Sequence, residues 1–182
     1  MISLGLVIGY HGCERQVAEK VVVGSVELIP SQNAWDWLGH GTYYWEDSPD
    51  RALRWARDHT DQPAVIAAAI SLGNCLNLAD LEAVAMLKAA HEAYLAICEA
   101  SGTEPARNKG RDLRARFLDC AVLETLHRLR EQEGLPPFDT VRGFFIEGRE
   151  VYPDAGFREL DHVQVCVRSP KQILGHFWPR KS

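Results

Sequence analysis

His11 closes an apolar run, Leu6-Val7-Ile8-Gly9-Tyr10, and Gly12 and Cys13 follow it directly. An imidazole at a strand end can hydrogen-bond a ligand. The bare backbone of the glycine beside it can offer one donor and one acceptor to a planar amide. The competing reading is a histidine satisfied within the fold. A second group reads Gly39-His40-Gly41-Thr42-Tyr43-Tyr44-Trp45. Two glycines let the backbone bend tightly or come close to a ligand, and the rings after them favour an extended strand. Such a strand can form one wall of a flat slot that takes a ring; the alternative is a core strand with large side chains. Trp55, on the helix expected next, is a second candidate wall.

Three further groupings bear on chemistry. Cys13 lies two residues from His11, the spacing of a Cys-His nucleophile pair, but no orienting third group or oxyanion hole can be named. His162 and Cys166 share a strand face, yet four residues span about 13 Å, too far for one metal ion. Arg107, Lys109, Arg111, Arg114 and Arg116 crowd one loop and helix start. They read either as a solvated face or as a contact for phosphate or RNA. Arginines at a helix start oppose the helix dipole, so helix stability does not account for them.

The elements that must position these residues follow in order. Residues 6–12 form a buried strand, residues 13–23 a helix stopped by Gly24, Val26–Ile29 a short strand, and Thr42–Trp45 the aromatic strand. Ser48 suits an N-cap, Pro49 the first helical position and Asp50 the first turn. That helix buries Ala52, Leu53 and Ala56, with Trp55 alongside. Ala64–Leu72 is apolar nearly throughout, as a strand covered on both faces would be. Residues 79–100 and 111–132 read as two long helices packed as a pair, with a polar loop at 101–110. Val141–Glu147 returns to strand. In residues 162–168, Val163, Val165 and Val167 alternate with His162, Gln164, Cys166 and Arg168, and residues 173–178 form a last strand. Strands at both ends with a helical pair between them predict an α+β fold.

The chain has 182 residues, 46% hydrophobic and 25% charged, which suits one domain over residues 1–182 with a helical insertion at about 79–134. The net charge of −5 argues against a surface coated for duplex DNA. Five cysteines with no Cys-x-x-Cys pair predict free thiols in a reducing compartment. The first ten residues lack a basic region and cleavage site, so no signal peptide is expected. The longest apolar run, Ala64–Ile70, is too short to cross a bilayer. A cytoplasmic protein without a membrane partner or a metal is the expectation.

Tyr10-His11-Gly12-Cys13, then Leu38-Gly39-His40-Gly41-Thr42-Tyr43-Tyr44, then a helix with Ala52, resembles the ADP-ribosyltransferase superfamily. The nearest branch is the diphtheria-toxin-like one, which includes poly(ADP-ribose) polymerase catalytic domains. The likeness covers residues 10–56 best and the last forty or so loosely; the helical pair has no counterpart in it. It implies a split mixed sheet and NAD as co-substrate. His11 would then bind the adenine-side ribose, Gly12 the carboxamide and Tyr43 the nicotinamide ring, with Tyr44 as runner-up because strand neighbours face opposite ways. The family's late-strand glutamate corresponds here to Gln164, which lacks the negative charge that favours a cationic transition state. Glu159, Asp161 and Glu147 are candidates to supply it.

By the resemblance the chain transfers ADP-ribose from NAD to a protein or nucleic-acid acceptor. Stand-alone chains of this size in the superfamily are often toxins with a neutralising antitoxin. Two alternatives remain: a catalytically weak nucleotide- or partner-binding module, and an NAD glycohydrolase with water as acceptor. Gln32–Trp37 and Ser101–Gly110 are the loops expected to choose the acceptor.

Overall fold

The computed structural model describes residues 2–110 and 114–180. Strand β1, Ile2–Glu14, leads into helix α1, Arg15–Val22. Strand β2, Thr42–Glu46, is followed by α2, Pro49–His59, and by the long β3, Pro63–Asn77. Helices α3, Leu81–Ser101, and α4, Phe117–Gln132, come next. Strands β4, Thr140–Phe145, β5, His162–Val167, and β6, Ile173–Phe177, close the chain. The fold is α+β, with a six-stranded mixed sheet in the order β1-β2-β5-β4-β3-β6.

A further pairing of β1 with β3 joins the first five strands of that order into a ring, with β6 outside it on β3. β1 and β3 run antiparallel from Ile2–Asn74 to Glu14–Pro63. The sole parallel pairing among the described strands joins the end of β3, Cys75–Asn77, to β4. β3 therefore continues past the expected Leu72 because its last residues have β4 to pair with.

Strand alternation sorts the core. Tyr44, Ala68, Ile70, Val165 and Val167 come from strands β2, β3 and β5 and pack together on one face. Cys166, one residue out of step with the valines, lies on the other face with Leu38, Leu76, Val141 and Phe145, where Ala83 and Ala90 of α3 and Val122, Leu123 and Leu126 of α4 cover it. Burial of this kind is worth about 25 cal/mol per Å² of apolar surface. On α2, Ala52 and Ala56 are buried while Leu53 is only half-buried. Gly12 explains how closely α2 sits: a Cβ there would lie 2.1 Å from the Ala52 carbonyl oxygen.

Three further expectations change. Residues 13 and 14 belong to β1, where they pair with Ala64 and Pro63 of β3, so the first helix starts at Arg15. Val26–Ile29 is not a strand: both flanks of β1 are taken by β2 and β3, and Ile29 is 92% exposed. Helix α4 starts at Phe117, not Arg111, which lies outside the described residues. Asn108 fixes that start, its side-chain oxygen accepting from the Leu118 N–H at 2.8 Å. Ser48 takes its expected place before α2 but makes no side-chain capping bond. No helix among the described residues is long and apolar enough to cross a membrane.

Candidate functional site

The β1–β2 ladder pairs Gly9 with Glu46 and Tyr10 with Trp45, and then ends. Beyond it a cleft of about 680 Å³ opens, within the usual range for a small-molecule site. His11, Tyr43, Trp55 and Gln164 all line it.

His11 bridges the parted strands. Its Nδ1 lies 2.8 Å from the Tyr43 carbonyl oxygen, which can only accept, so Nδ1 carries the proton and Nε2 is the basic nitrogen. Burial lowers the His11 pKa and keeps the ring neutral. Tyr43 is held from both sides: its hydroxyl accepts from the Leu38 N–H and donates to the Gly39 carbonyl, each at 2.7 Å. Tyr44 points the other way, as strand geometry requires. It is fully buried, and its hydroxyl meets His176 Nε2 at 2.9 Å. Tyr44 is thus not on the cleft wall. Gly12 is not on it either, being paired with Val65 and pressed against α2.

Across the cleft, β5 contributes His162 and Gln164 from one face. Gln164 is buried, and among the described residues its amide makes no hydrogen bond. Helix α2 adds Arg51, Trp55 and His59, four residues apart and therefore on one stripe. The Trp55 and His59 rings stack at 4.0 Å. The loop before β2 adds Trp35, Asp36 and Trp37; Asp36 is spent on the loop, accepting from Ser31 Oγ and the Asn33 N–H at 2.9 Å each.

Of the three acids expected near Gln164, Glu147 lines the cleft. It pairs with Arg51 at 2.7 Å and Arg114 at 3.0 Å. Asp161 instead accepts from the Glu147 and Arg158 backbone N–H groups, and Glu159 sits 3.6 Å from Arg149 at the surface. Burial lowers the pKa of Arg51 and of His162. His162 donates from Nδ1 to the Leu160 carbonyl at 2.7 Å, which leaves Nε2 as an acceptor. Among the described residues, Trp45 Nε1, Arg51 Nε and His162 Nε2 are buried without a hydrogen-bond partner, and all three residues line the cleft. Unpaired buried polar atoms cost free energy, and a polar ligand that met them would recover it.

Cys13 is no match for its proximity to His11. Burial pushes its thiol up to about 11, so little thiolate forms at neutral pH. All five cysteines are free thiols. A separate cleft of about 360 Å³, lined in part by Cys75, Asn77 and Asp80, is crossed by a two-bond Arg142–Glu46 pair at 2.6 and 2.8 Å.

The sequence patterns did not single out Arg51, or His162 as a cleft residue; Trp35 and Trp37 lie in the loop Gln32–Trp37 that was expected to choose the acceptor, and they line the cleft. The spacing of Arg51, Trp55 and His59 was the signal available for α2. The loop tryptophans carry no periodicity that marks them.

No family profile matches the chain, and no solved structure matches it. Over 46 residues the chain is 44% identical to the uncharacterized protein MJ0359 of Methanocaldococcus jannaschii. The match takes in 25% of this chain and 21% of that protein, so the chain spans only about a fifth of the relative's length.

Proposed function

We propose that this chain is an NAD-dependent ADP-ribosyltransferase with an ADP-ribosyltransferase-like split sheet, modifying a macromolecular acceptor. One observation carries the reading: His11, Tyr43, Trp55 and Gln164, named from separate stretches of sequence, line a single cleft of about 680 Å³. The residues also suit a dinucleotide. The cleft pairs flat aromatic walls with residues whose buried donors and acceptor have no partner among the described residues.

When bound, NAD supplies a nicotinamide that leaves from its ribose with the bonding electrons. His11 offers Nε2 to a ribose hydroxyl, its other nitrogen being tied to Tyr43 O. The Tyr43 ring stacks on nicotinamide, a contact worth about 0.5–1.5 kcal/mol beyond burial. Gln164 orients the reacting ribose by hydrogen bonding. The acceptor attacks the opposite face of that sugar and releases its proton.

The test is incubation of the full chain with adenylate-labelled NAD and a macromolecular extract. Nicotinamide release with label on a macromolecule is the expected result. Free ADP-ribose alone would indicate a glycohydrolase, and no turnover with intact fold would overturn the transferase reading.

A second reading, a nucleotide-binding module with little turnover, is favoured by the charge of the site. Gln164 is neutral, and Glu147 is already shared between two guanidinium groups. Missing one preorganised electrostatic partner costs about 10²–10³ in rate. NAD binding by the wild type with hydrolysis only by Gln164→Glu would select this second reading. A role as a toxin with a neutralising partner rests on the resemblance alone, and growth arrest on expression would support it.

A further inference from the structure

Resting on the transferase reading, we propose that the acceptor is a single-stranded nucleic acid, held at the cleft mouth by arginines and exposed tryptophans. Two arginines that precede α4, Arg114 and Arg116, are fastened to the cleft. Trp37 Nε1 donates to the Arg114 carbonyl at 2.8 Å, and the Arg114 guanidinium reaches Glu147 at 3.0 Å. Arg116 lies over the Trp37 ring, 4.9 Å from its centre. Two cations far from the cleft in sequence therefore stand at its rim, Arg116 with Asp119 as its partner at 3.0 Å.

The opposite wall adds to this charge. Arg51 faces the cleft from α2, and the charges of Arg54 and Arg114 both act on it. Glu147 is the carboxylate that Arg51 and Arg114 share. Arg54 is exposed and has no ion-pair partner among the described residues. The other carboxylate of the cleft, Asp36, is occupied by Ser31 and Asn33. Beside these cations stand two exposed rings on the cleft, Trp35 at 48% and Trp55 at 41%.

Cations that follow a phosphate backbone, next to rings on which bases stack, are what a single strand requires. A duplex hides its bases from such rings. A neutral peptide would use the tryptophans but leave Arg54 unmatched. In the transfer, a base nitrogen donates its lone pair to C1′ of the ribose. The bond from C1′ to nicotinamide breaks with its electrons on nicotinamide, and the proton lost by the base nitrogen passes to water.

The experiment uses the full chain with fluorescein-labelled single-stranded DNA and RNA oligonucleotides and the matching duplexes, read by anisotropy between about 50 and 200 mM salt. Single strands are expected to bind more tightly than duplex, and affinity to fall as salt rises. Arg54→Gln should reduce the slope of log K against log salt by about 0.7. Trp55→Ala should weaken binding about tenfold. Both residues are exposed, so the variants keep their fold, checked by circular dichroism. Label from NAD should then appear on the oligonucleotide. Absence of salt-dependent single-strand binding overturns the proposal, as does label that enters proteins and never the oligonucleotide; in either case NAD cleavage would leave the transferase reading standing. Strand binding without any NAD binding or turnover supports the nucleic-acid surface and overturns the transferase reading instead.

Discussion

Tyr43 has no freedom at its hydroxyl, which is why its ring stays against the cleft. Tyr43→Phe keeps the ring but strands the Leu38 N–H and Gly39 carbonyl. Its expected effect is a loss of about 1–3 kcal/mol in urea unfolding, with NAD affinity changed little. Tyr43→Ala removes the ring and should abolish NAD binding measured by calorimetry. Gln164→Glu places a carboxylate where the reacting ribose is expected, and nicotinamide release should rise about a hundredfold. An unchanged rate would remove Gln164 from the ribose site. At this scale the sequence was informative where a local rule applied. Alternation separates Tyr43 from Tyr44, and it puts Gln164 and Cys166 opposite Val165. It could not show that Glu147 is tied to Arg51 and Arg114, because those partners come from two other elements.

Helix α4 belongs to the part of the chain without counterpart in the resemblance, yet it holds the glycine loop in place. Glu124 Oε1 accepts from the His40 N–H at 2.8 Å and from Arg168 at 3.0 Å. Arg168 also reaches the His40 carbonyl at 3.1 Å. Gly39, with φ +75°, has to be bare: a Cβ there would lie 2.6 Å from Glu124 Oε1. Burial alone would raise the Glu124 pKa, but the His40 N–H and Arg168 outweigh it and hold the carboxyl below its ordinary range. Glu124→Ala should destabilise the fold by about 1–3 kcal/mol in urea. It should also speed hydrogen exchange in residues 38–43, whereas Glu124→Gln, which retains an acceptor, should restore most of the protection. Nothing in the helical pattern marks Glu124, because its partners are a loop amide and a strand-end arginine distant in sequence. The stop of α1 near Gly24 and the start of α2 at Pro49 were readable from Gly, Pro and cap residues, whereas β1 and β3 run on past Gly12 and Gly73. The start of α4 was not readable, because its cap, Asn108, reaches back from the loop.

Across the whole molecule, burial keeps several imidazoles neutral. His11 and His162 are lowered, and His127 is pushed down to about 4. Their ordinary value is 6.5. Above it both folded and unfolded chains carry neutral rings, and stability is at its full value. As pH falls below it, the unfolded chain takes up protons that the native fold refuses, so stability declines until the native values are reached. Each such ring contributes up to about 1.4 kcal/mol per pH unit in that window. Thermal unfolding between pH 7 and 4.5 should show this fall, and His127→Leu should flatten it. The α+β class and the helical pair between strand groups were legible because each rests on local periodicity. The closure of five strands into a ring was not, since pairings such as β1 with β3 and β3 with β4 depend on partners far along the chain.

That closure decides where one copy of the chain can nucleate growth with another. Strands whose two sides are both taken offer no template for addition. Among the described strands, the outer edge of β6 lies beyond the circuit, and the strand itself carries Leu174 and Phe177 at 64% and 41% exposure. Fibrillar or swapped assemblies would therefore start at the C-terminal strand. Leu174→Lys should delay turbidity at high concentration without altering the unfolding midpoint.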